Sequence, residues 1–71
     1  MECSLQLKTV ERIDERSLVT FEVEHEAVGK LEIKVRAEAM SGHQAAEQGR
    51  LKLLDFAAAL TRAAENLQPH V

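Results

Sequence analysis

The sequence predicts an α+β fold, in which a three-stranded antiparallel β-meander is followed by one long C-terminal α-helix packed on one face of the sheet. Three stretches rich in apolar and β-branched residues fill the first half of the chain, with turn-like sequences between them. The second half has an apolar spacing typical of a helix. We expect one domain over residues 1–67 and a flexible tail over residues 68–71, because Pro69 follows the last periodic residue.

The three strands are predicted from Leu5 to Ile13, from Leu18 to His25 and from Leu31 to Ala37. The third strand alternates strictly between apolar and charged residues, which is typical of a strand with one buried face. The first strand breaks its own alternation. A β-bulge near Lys8 and Thr9 would bring its apolar residues to one face, and a bulged strand is typical of a sheet edge.

The hairpin between the second and third strands is predicted to close through a three-residue loop, residues 27–29, with Gly29 in the left-handed conformation that such loops require. This loop keeps the apolar residues of both strands on one face. The cross-strand pairs that follow from it are Glu22 with Lys34, Glu26 with Lys30, and Glu24 with Glu32.

The helix is predicted from Gly42 to Leu67. Ser41 is placed as its N-cap, with Gln44 completing a capping-box pattern and Met40 acting as a hydrophobic staple. The apolar residues that should lie on the sheet share one narrow sector of this helix. They are Ala46, Leu53, Ala57, Leu60, Ala64 and Leu67, flanked by Phe56.

A second apolar row on the helix consists of Leu51, Leu54 and Ala58. It lies roughly 80–140° from the first sector at the 100° per residue of an α-helix, so it does not face the same sheet. The helix would also be about 39 Å long, against about 23 Å for a seven-residue strand. Both features predict a homodimer with this row at its interface. The alternative is a monomer with exposed leucines, or a helix that breaks near Gly49.

The size and composition of the chain agree with a small domain that is stabilised by a second subunit. A single core in a chain of 71 residues is only marginally stable, and such domains commonly need a disulfide, a metal or a second subunit. The single cysteine, Cys3, excludes an internal disulfide; without a signal-peptide pattern it predicts a reduced thiol in the cytoplasm. No apolar run approaches the roughly 18 residues that span a bilayer, so we expect no membrane partner.

The sequence has no motif for catalysis, a cofactor or a metal. His43 and Glu47 lie one helical turn apart and could share a metal ion, but ordinary solvated side chains are the favoured interpretation. The basic residues of the third strand, Lys30, Lys34 and Arg36, could contact nucleic acid. The net charge of −3, the interleaved glutamates and the near absence of aromatic residues argue against that partner.

We therefore expect a homodimeric protein-interaction or assembly module, whose partner is a second copy of the chain or another protein, rather than an enzyme. Two alternatives stay open. One is a nucleic-acid-binding regulator that uses the basic face of the third strand. The other is an enzyme or ligand carrier whose site forms only at the dimer interface, where glutamate, histidine and cysteine side chains of two chains could meet.

Overall fold

The computed structural model describes residues 2–38 and 41–69, and it confirms the predicted α+β architecture. The elements in chain order are β1 (Ser4–Ile13), β2 (Arg16–His25), β3 (Gly29–Ala37) and α1 (Gly42–Asn66). The strands form one antiparallel sheet in the order β1-β2-β3. Each strand ends at the predicted residue and begins one or two residues earlier. The predicted Met40 staple lies outside the described residues, as do the last two residues of the predicted tail.

The edge strand β1 has the predicted β-bulge. Its register with β2 shifts between Leu7 and Thr9, so that Leu7 pairs with Phe21 and Thr9 pairs with Thr20. The extra residue restores the alternation that the sequence breaks, and it turns the apolar residues on both sides of the bulge to one face of the sheet. A two-residue turn then leads into β2, with Asp14 at a φ of 57°, a conformation that aspartate tolerates better than most residues.

The hairpin between β2 and β3 closes earlier than predicted. His25 pairs with Gly29, which has a φ of 74°, and the amide of Val28 donates to the carbonyl oxygen of His25 at 3.1 Å. Gly29 is thus left-handed as predicted, but the loop begins at residue 26. The predicted cross-strand pairs are therefore wrong. The observed pairs are Glu22 with Glu32, Glu24 with Lys30, and Thr20 with Lys34.

The inner face of the sheet, which α1 covers, carries three rows of apolar side chains that run across the strands. We name them by their distance from the carboxyl end of β3. The proximal row is Val10, Val19 and Val35; the middle row is Leu7, Phe21 and Ile33; the distal row is Leu5, Val23 and Leu31. Among the described residues, the buried apolar core consists of Val19, Phe21, Ala37 and Ala45. The core therefore lies at the proximal and middle rows.

The helix contacts the sheet through Ala45, Gly49 and Leu53, which recur every four residues and so share one face. A side chain added at Gly49 would have its Cβ 3.1 Å from the side chain of Val19, which is fully buried. The absence of a side chain at Gly49 thus permits the closest approach of helix and sheet. Residue 49, which could have broken the helix, is instead the point at which the helix meets the sheet.

The predicted sheet-facing sector of the helix is mostly wrong. Leu53 packs against the core and Ala46 is half-buried, but the residues farther along are exposed. These exposed residues are Phe56, Ala57, Leu60, Ala64 and Leu67. Two physical reasons account for the difference. The close contact at Gly49 rotates the helix toward Ala45, and the sheet is too short to reach the last three turns.

The helix start confirms the predicted cap. The hydroxyl oxygen of Ser41 accepts from the amide of Gln44 at 3.1 Å, which satisfies one of the amides that a helix leaves unpaired at its first turn. Farther along, the side-chain oxygen of Gln48 accepts from the amide of Glu38 at 2.9 Å, and the ammonium of Lys52 donates to the carbonyl oxygen of Arg36 at 2.8 Å. These bonds attach the middle of α1 to the carboxyl end of β3.

The contact at Gly49 can be tested with a matched pair of glycine substitutions. Gly49→Leu would force a side chain into Val19, which has no free space, so we expect it to lower the free energy of unfolding by at least about 2 kcal/mol. Gly42→Leu is the control, because an added Cβ there meets nothing within 4 Å. It should change the free energy by about 1 kcal/mol at most, in the stabilising direction. Urea unfolding measures both; equal effects would contradict the close approach.

Candidate interaction surfaces

The last part of the helix forms a projection that we call the overhang, residues 54–67, in which every residue is exposed. It follows Lys52, whose bond to Arg36 is the last hydrogen bond from α1 to the sheet among the described residues. Phe56, Leu60 and Leu67 continue the spacing of the sheet-contacting residues along the same side of the helix. The apolar stripe that packs on the sheet in the first half of α1 thus continues into solvent in the second half.

The predicted interface residues Leu51, Leu54 and Ala58 are exposed in this structure. At 100° per residue, the row lies about 140–180° around the helix axis from the centre of the face that contacts the sheet, so it is on the far side of the helix. The chain does not cover this row with any other described element. Its place at a dimer interface stays a prediction.

The distal end of the inner face is also uncovered. We call Leu5, Leu7 and Leu31 the open sheet surface, because each is more than a third exposed although it lies on the apolar face. The first turns of α1 border it on one side. A shallow cleft there is lined by Leu5, Leu7, Phe21, His43, Ala46, Glu47 and Arg50. The described chain therefore has two separate uncovered apolar surfaces, one on the helix and one on the sheet.

Glu47 was considered above as a metal ligand with His43. In the structure it forms a bidentate ion pair with Arg50. The guanidinium donates from Nη2 to Oε1 at 2.7 Å and from Nε to Oε2 at 3.1 Å. These hydrogen bonds lower the pKa of Glu47, and the charge of Arg50 adds to the effect. Within the described part of the chain, no group of three or more His, Cys, Asp and Glu side chains is placed to hold a metal ion.

The outer face of the sheet is polar and is organised around Lys8, which lies at the bulge. Glu22 and Glu32 pair directly across β2 and β3, an arrangement of like charges that is unfavourable alone. The ammonium of Lys8 donates to Oε1 of Glu32 at 3.1 Å and lies 3.9 Å from Oε2 of Glu22. The hydrogen bond to Glu32 raises the pKa of Lys8, and the two negative charges add to the increase.

The basic residues weighed for nucleic-acid binding share this outer face with carboxylates. Lys30 lies 3.8 Å from a carboxylate oxygen of Glu24, Lys34 pairs with Thr20, and Arg36 pairs with Leu18. A surface that binds phosphates needs positive charge that is not offset by neighbouring acids. The outer face has mixed charge, because Glu24 pairs with Lys30 and because Glu22 and Glu32 form the row between Lys30 and Lys34.

The sequence analysis did not predict that Cys3 and His25 lie close together. Cys3 and His25 line the same open cleft, together with Glu2, Ser4, Glu24, Glu26 and Gly29. The signal was present in the antiparallel pairing, because Ser4 pairs with Glu24 and this brings the residues before and after them together. The ring nitrogen Nδ1 of His25 accepts from the amide of Ala27 at 3.0 Å. That bond fixes the ring beside the turn.

Comparison of the chain with protein-family models, with curated proteins and with solved structures found no significant match. Within residues 2–38 and 41–69, no helical segment combines the length and the apolar character that crossing a bilayer requires.

The role of Lys8 can be tested by replacing it with an uncharged side chain of similar length. Lys8→Met should lower the melting temperature at low salt, because Glu22 and Glu32 would then repel each other without a neighbouring cation. Added salt should reduce the difference by screening that repulsion. Lys34→Met removes the same charge from the same face opposite Thr20, so a smaller effect is expected. Equal losses in both variants would contradict the proposed role.

The raised pKa of Lys8 also sets the sign of its pH dependence. A group whose pKa is raised by folding stabilises the protein below its ordinary pKa, and this contribution is lost as the pH rises through the folded-state value. The difference between wild type and Lys8→Met should therefore stay constant from neutral pH to mildly alkaline pH and disappear only at strongly alkaline pH.

Proposed function

We propose that the chain is a homodimeric interaction or assembly module. The observation that supports this is the imbalance between its core and its uncovered apolar surface. Four apolar residues are buried among those described, whereas ten large apolar side chains are 37–70% exposed. Single exposed leucines are ordinary in monomers, but grouped ones mark interaction sites. Here seven of the ten are grouped on the overhang and on the open sheet surface.

Stability gives the second support. Domains of this size have a total stability of roughly 5 kcal/mol, and the small core leaves little margin for ordering a projecting helix. Isolated helical segments shorter than about 12–15 residues are marginal in water even with good helix formers. The overhang is of that length, and every residue in it is exposed. A partner that covers its apolar side would supply the missing stabilisation.

A second copy of the chain is the simplest partner, because it brings the same two apolar surfaces at the same concentration. A different polypeptide could bind the same surfaces, and a module that is both dimeric and bound to another protein is compatible with two separate patches. The mixed charge of the outer face favours a protein partner over nucleic acid. A cytoplasmic location is part of the proposal, since the exposed Cys3 requires a reducing compartment to stay a free thiol.

The proposal predicts that Leu51→Glu combined with Leu54→Glu will disrupt the assembly. If these leucines contact a partner subunit, two carboxylates would be buried without counter-charges, which costs several kcal/mol unless the interface opens. For a domain of this stability we expect dissociation together with partial or complete unfolding. Sedimentation equilibrium measures the mass, and circular dichroism measures the helix content and the melting temperature.

Arg16→Glu is the matched control. It changes the net charge by −2, the same amount as the two leucine substitutions, at an exposed position on the outer face of the sheet, away from the helix. It should leave both mass and melting temperature close to those of the wild type. A double variant with unchanged mass and unchanged melting would show that these leucines are merely exposed. A wild-type chain that is monomeric at all accessible concentrations would refute the proposed homodimer.

A further inference from the structure

We propose that the overhang of one copy lies on the open sheet surface of a second copy, and that the same contact is repeated by two-fold symmetry. This inference rests on the proposed homodimer and specifies how its two surfaces are used. The occupant of the open sheet surface is thus the apolar stripe of Phe56, Leu60 and Leu67 from the other chain. Each copy contributes its overhang to one of the two contacts and its open sheet surface to the other.

The two surfaces do not meet within one chain. Because α1 is a continuous helix, the contact of Gly49 with Val19 and the bond from Lys52 to the carbonyl oxygen of Arg36 fix its position on the sheet. The open sheet surface borders the first turns of the helix, where Ala46 and Arg50 line the cleft beside Leu5 and Leu7. The overhang is at the opposite end of the same helix. Covering one surface with the other therefore requires a second molecule.

The length of the overhang is sufficient to cross the width of a partner's sheet. The overhang is about 20 Å long at 1.5 Å per residue. Three strands are about 10 Å wide at about 4.8 Å between neighbours. A helix end of this length can cross the inner face of a partner's sheet and contact its distal and middle rows together. Both surfaces are aliphatic apart from Phe56, so neither requires a polar group to be buried.

The area is sufficient for a stable dimer. Six large apolar side chains are involved, and they are 37–70% exposed. They are Leu5, Leu7 and Leu31 on the sheet, and Phe56, Leu60 and Leu67 on the helix. Together they present on the order of 400 Å² of apolar surface per copy. Interfaces are about 60% apolar, so this corresponds to roughly 700 Å² in total per copy, close to the roughly 800 Å² per partner of a standard complex.

The second apolar row lies outside this contact. At 100° per residue, Leu51, Leu54 and Ala58 are about 140–180° around the helix axis from the centre of the stripe formed by Phe56, Leu60 and Leu67. In this arrangement the row faces away from the partner's sheet. The double substitution of Leu51 and Leu54 therefore tests a contact distinct from the exchange of helix ends.

A dimer formed by the overhangs alone is the competing arrangement. In a two-fold dimer of that kind the same patch contacts itself. It would cover Leu60 and Phe56 but leave Leu5, Leu7 and Leu31 in water. The contact of helix with sheet covers both uncovered surfaces at once, which is why the structure favours it.

The two arrangements predict different amounts of dimer when two interface variants are mixed. Leu60→Lys damages the helix stripe, and Leu31→Glu damages the sheet surface. Each variant alone forms a homodimer with two damaged contacts, so we expect its dissociation constant to rise at least about a hundredfold. A mixture can form a heterodimer in which one contact is intact and the other places the introduced ammonium against the introduced carboxylate. The mixture should regain dimer at concentrations at which each variant alone is monomeric.

Sedimentation equilibrium of the two variants and their equimolar mixture measures this, with circular dichroism to establish that each chain is folded. Leu31 is partly exposed on an edge strand, so its replacement should be tolerated in the monomer. Leu5→Glu is a second sheet variant if that fold is lost. Ile13→Glu is the control, since Ile13 is also a large exposed apolar residue of an edge strand but lies on the outer face with Arg16. It should dimerise like the wild type.

The outcomes separate the inference from the proposed function. Recovery of dimer in the mixture supports the exchange of helix ends. A Leu31→Glu chain that dimerises as well as the wild type overturns it while leaving the homodimer in place, because only the overhang would then be used. Failure of the mixture to recover, with both single variants folded and monomeric, also overturns it. A monomeric wild type removes the proposed function itself.

Thiol cross-linking gives an independent measurement in a Cys3→Ser background. One chain carries Leu60→Cys and the other carries Leu5→Cys, and oxidation of the mixture should give a disulfide-linked heterodimer, because the two thiols would lie on the same contact. Arg62→Cys, on the opposite side of the helix, is the control and should cross-link to Leu5→Cys several-fold less. Equal yields from both pairs would overturn the arrangement.

Discussion

The contact between Gly49 and Val19 is the constraint on which the rest of this structure depends. Val19 lies at the centre of the proximal row and is fully buried, and only a residue without a side chain lets the helix come as close as it does. This contact determines which side of α1 faces the sheet and how far along the sheet the helix lies. It therefore also determines which apolar residues are covered and which are left in water.

The consequence is a molecule with an unequal distribution of apolar contacts. The proximal row is covered, the distal row is open, and the last three turns of the helix extend past the sheet. Burial of apolar area is the main favourable term in folding, and a chain of this length has little of it to spare. The two uncovered surfaces are chemically alike and lie at opposite ends of one rigid helix. Because they are separated in this way, neither surface can cover the other within one chain.

The outer face follows a different principle. Its side chains are charged and mixed in sign, and the like-charged pair of Glu22 and Glu32 is accommodated because the bulge of β1 places Lys8 next to both. Exposed ion pairs of this kind contribute little to stability individually. Here the pair allows a register that would otherwise place two carboxylates together. The inner face thus holds the molecule together, and the outer face tolerates the pairing that the inner face requires.

The sequence by itself determined the element types, their order, the ends of all three strands, the bulge at Lys8 and the cap at Ser41, because each depends on local alternation, local spacing or a single side chain. The hairpin register was decided only in the folded structure. A shift of two residues keeps the same side chains on the inner face, so the apolar pattern cannot distinguish the two registers. The same holds for the helix face. A helix pattern counts Gly49 as a weak position, whereas the sheet uses it as the point of closest approach, because packing depends on the shape of both surfaces and a one-dimensional pattern contains only one of them.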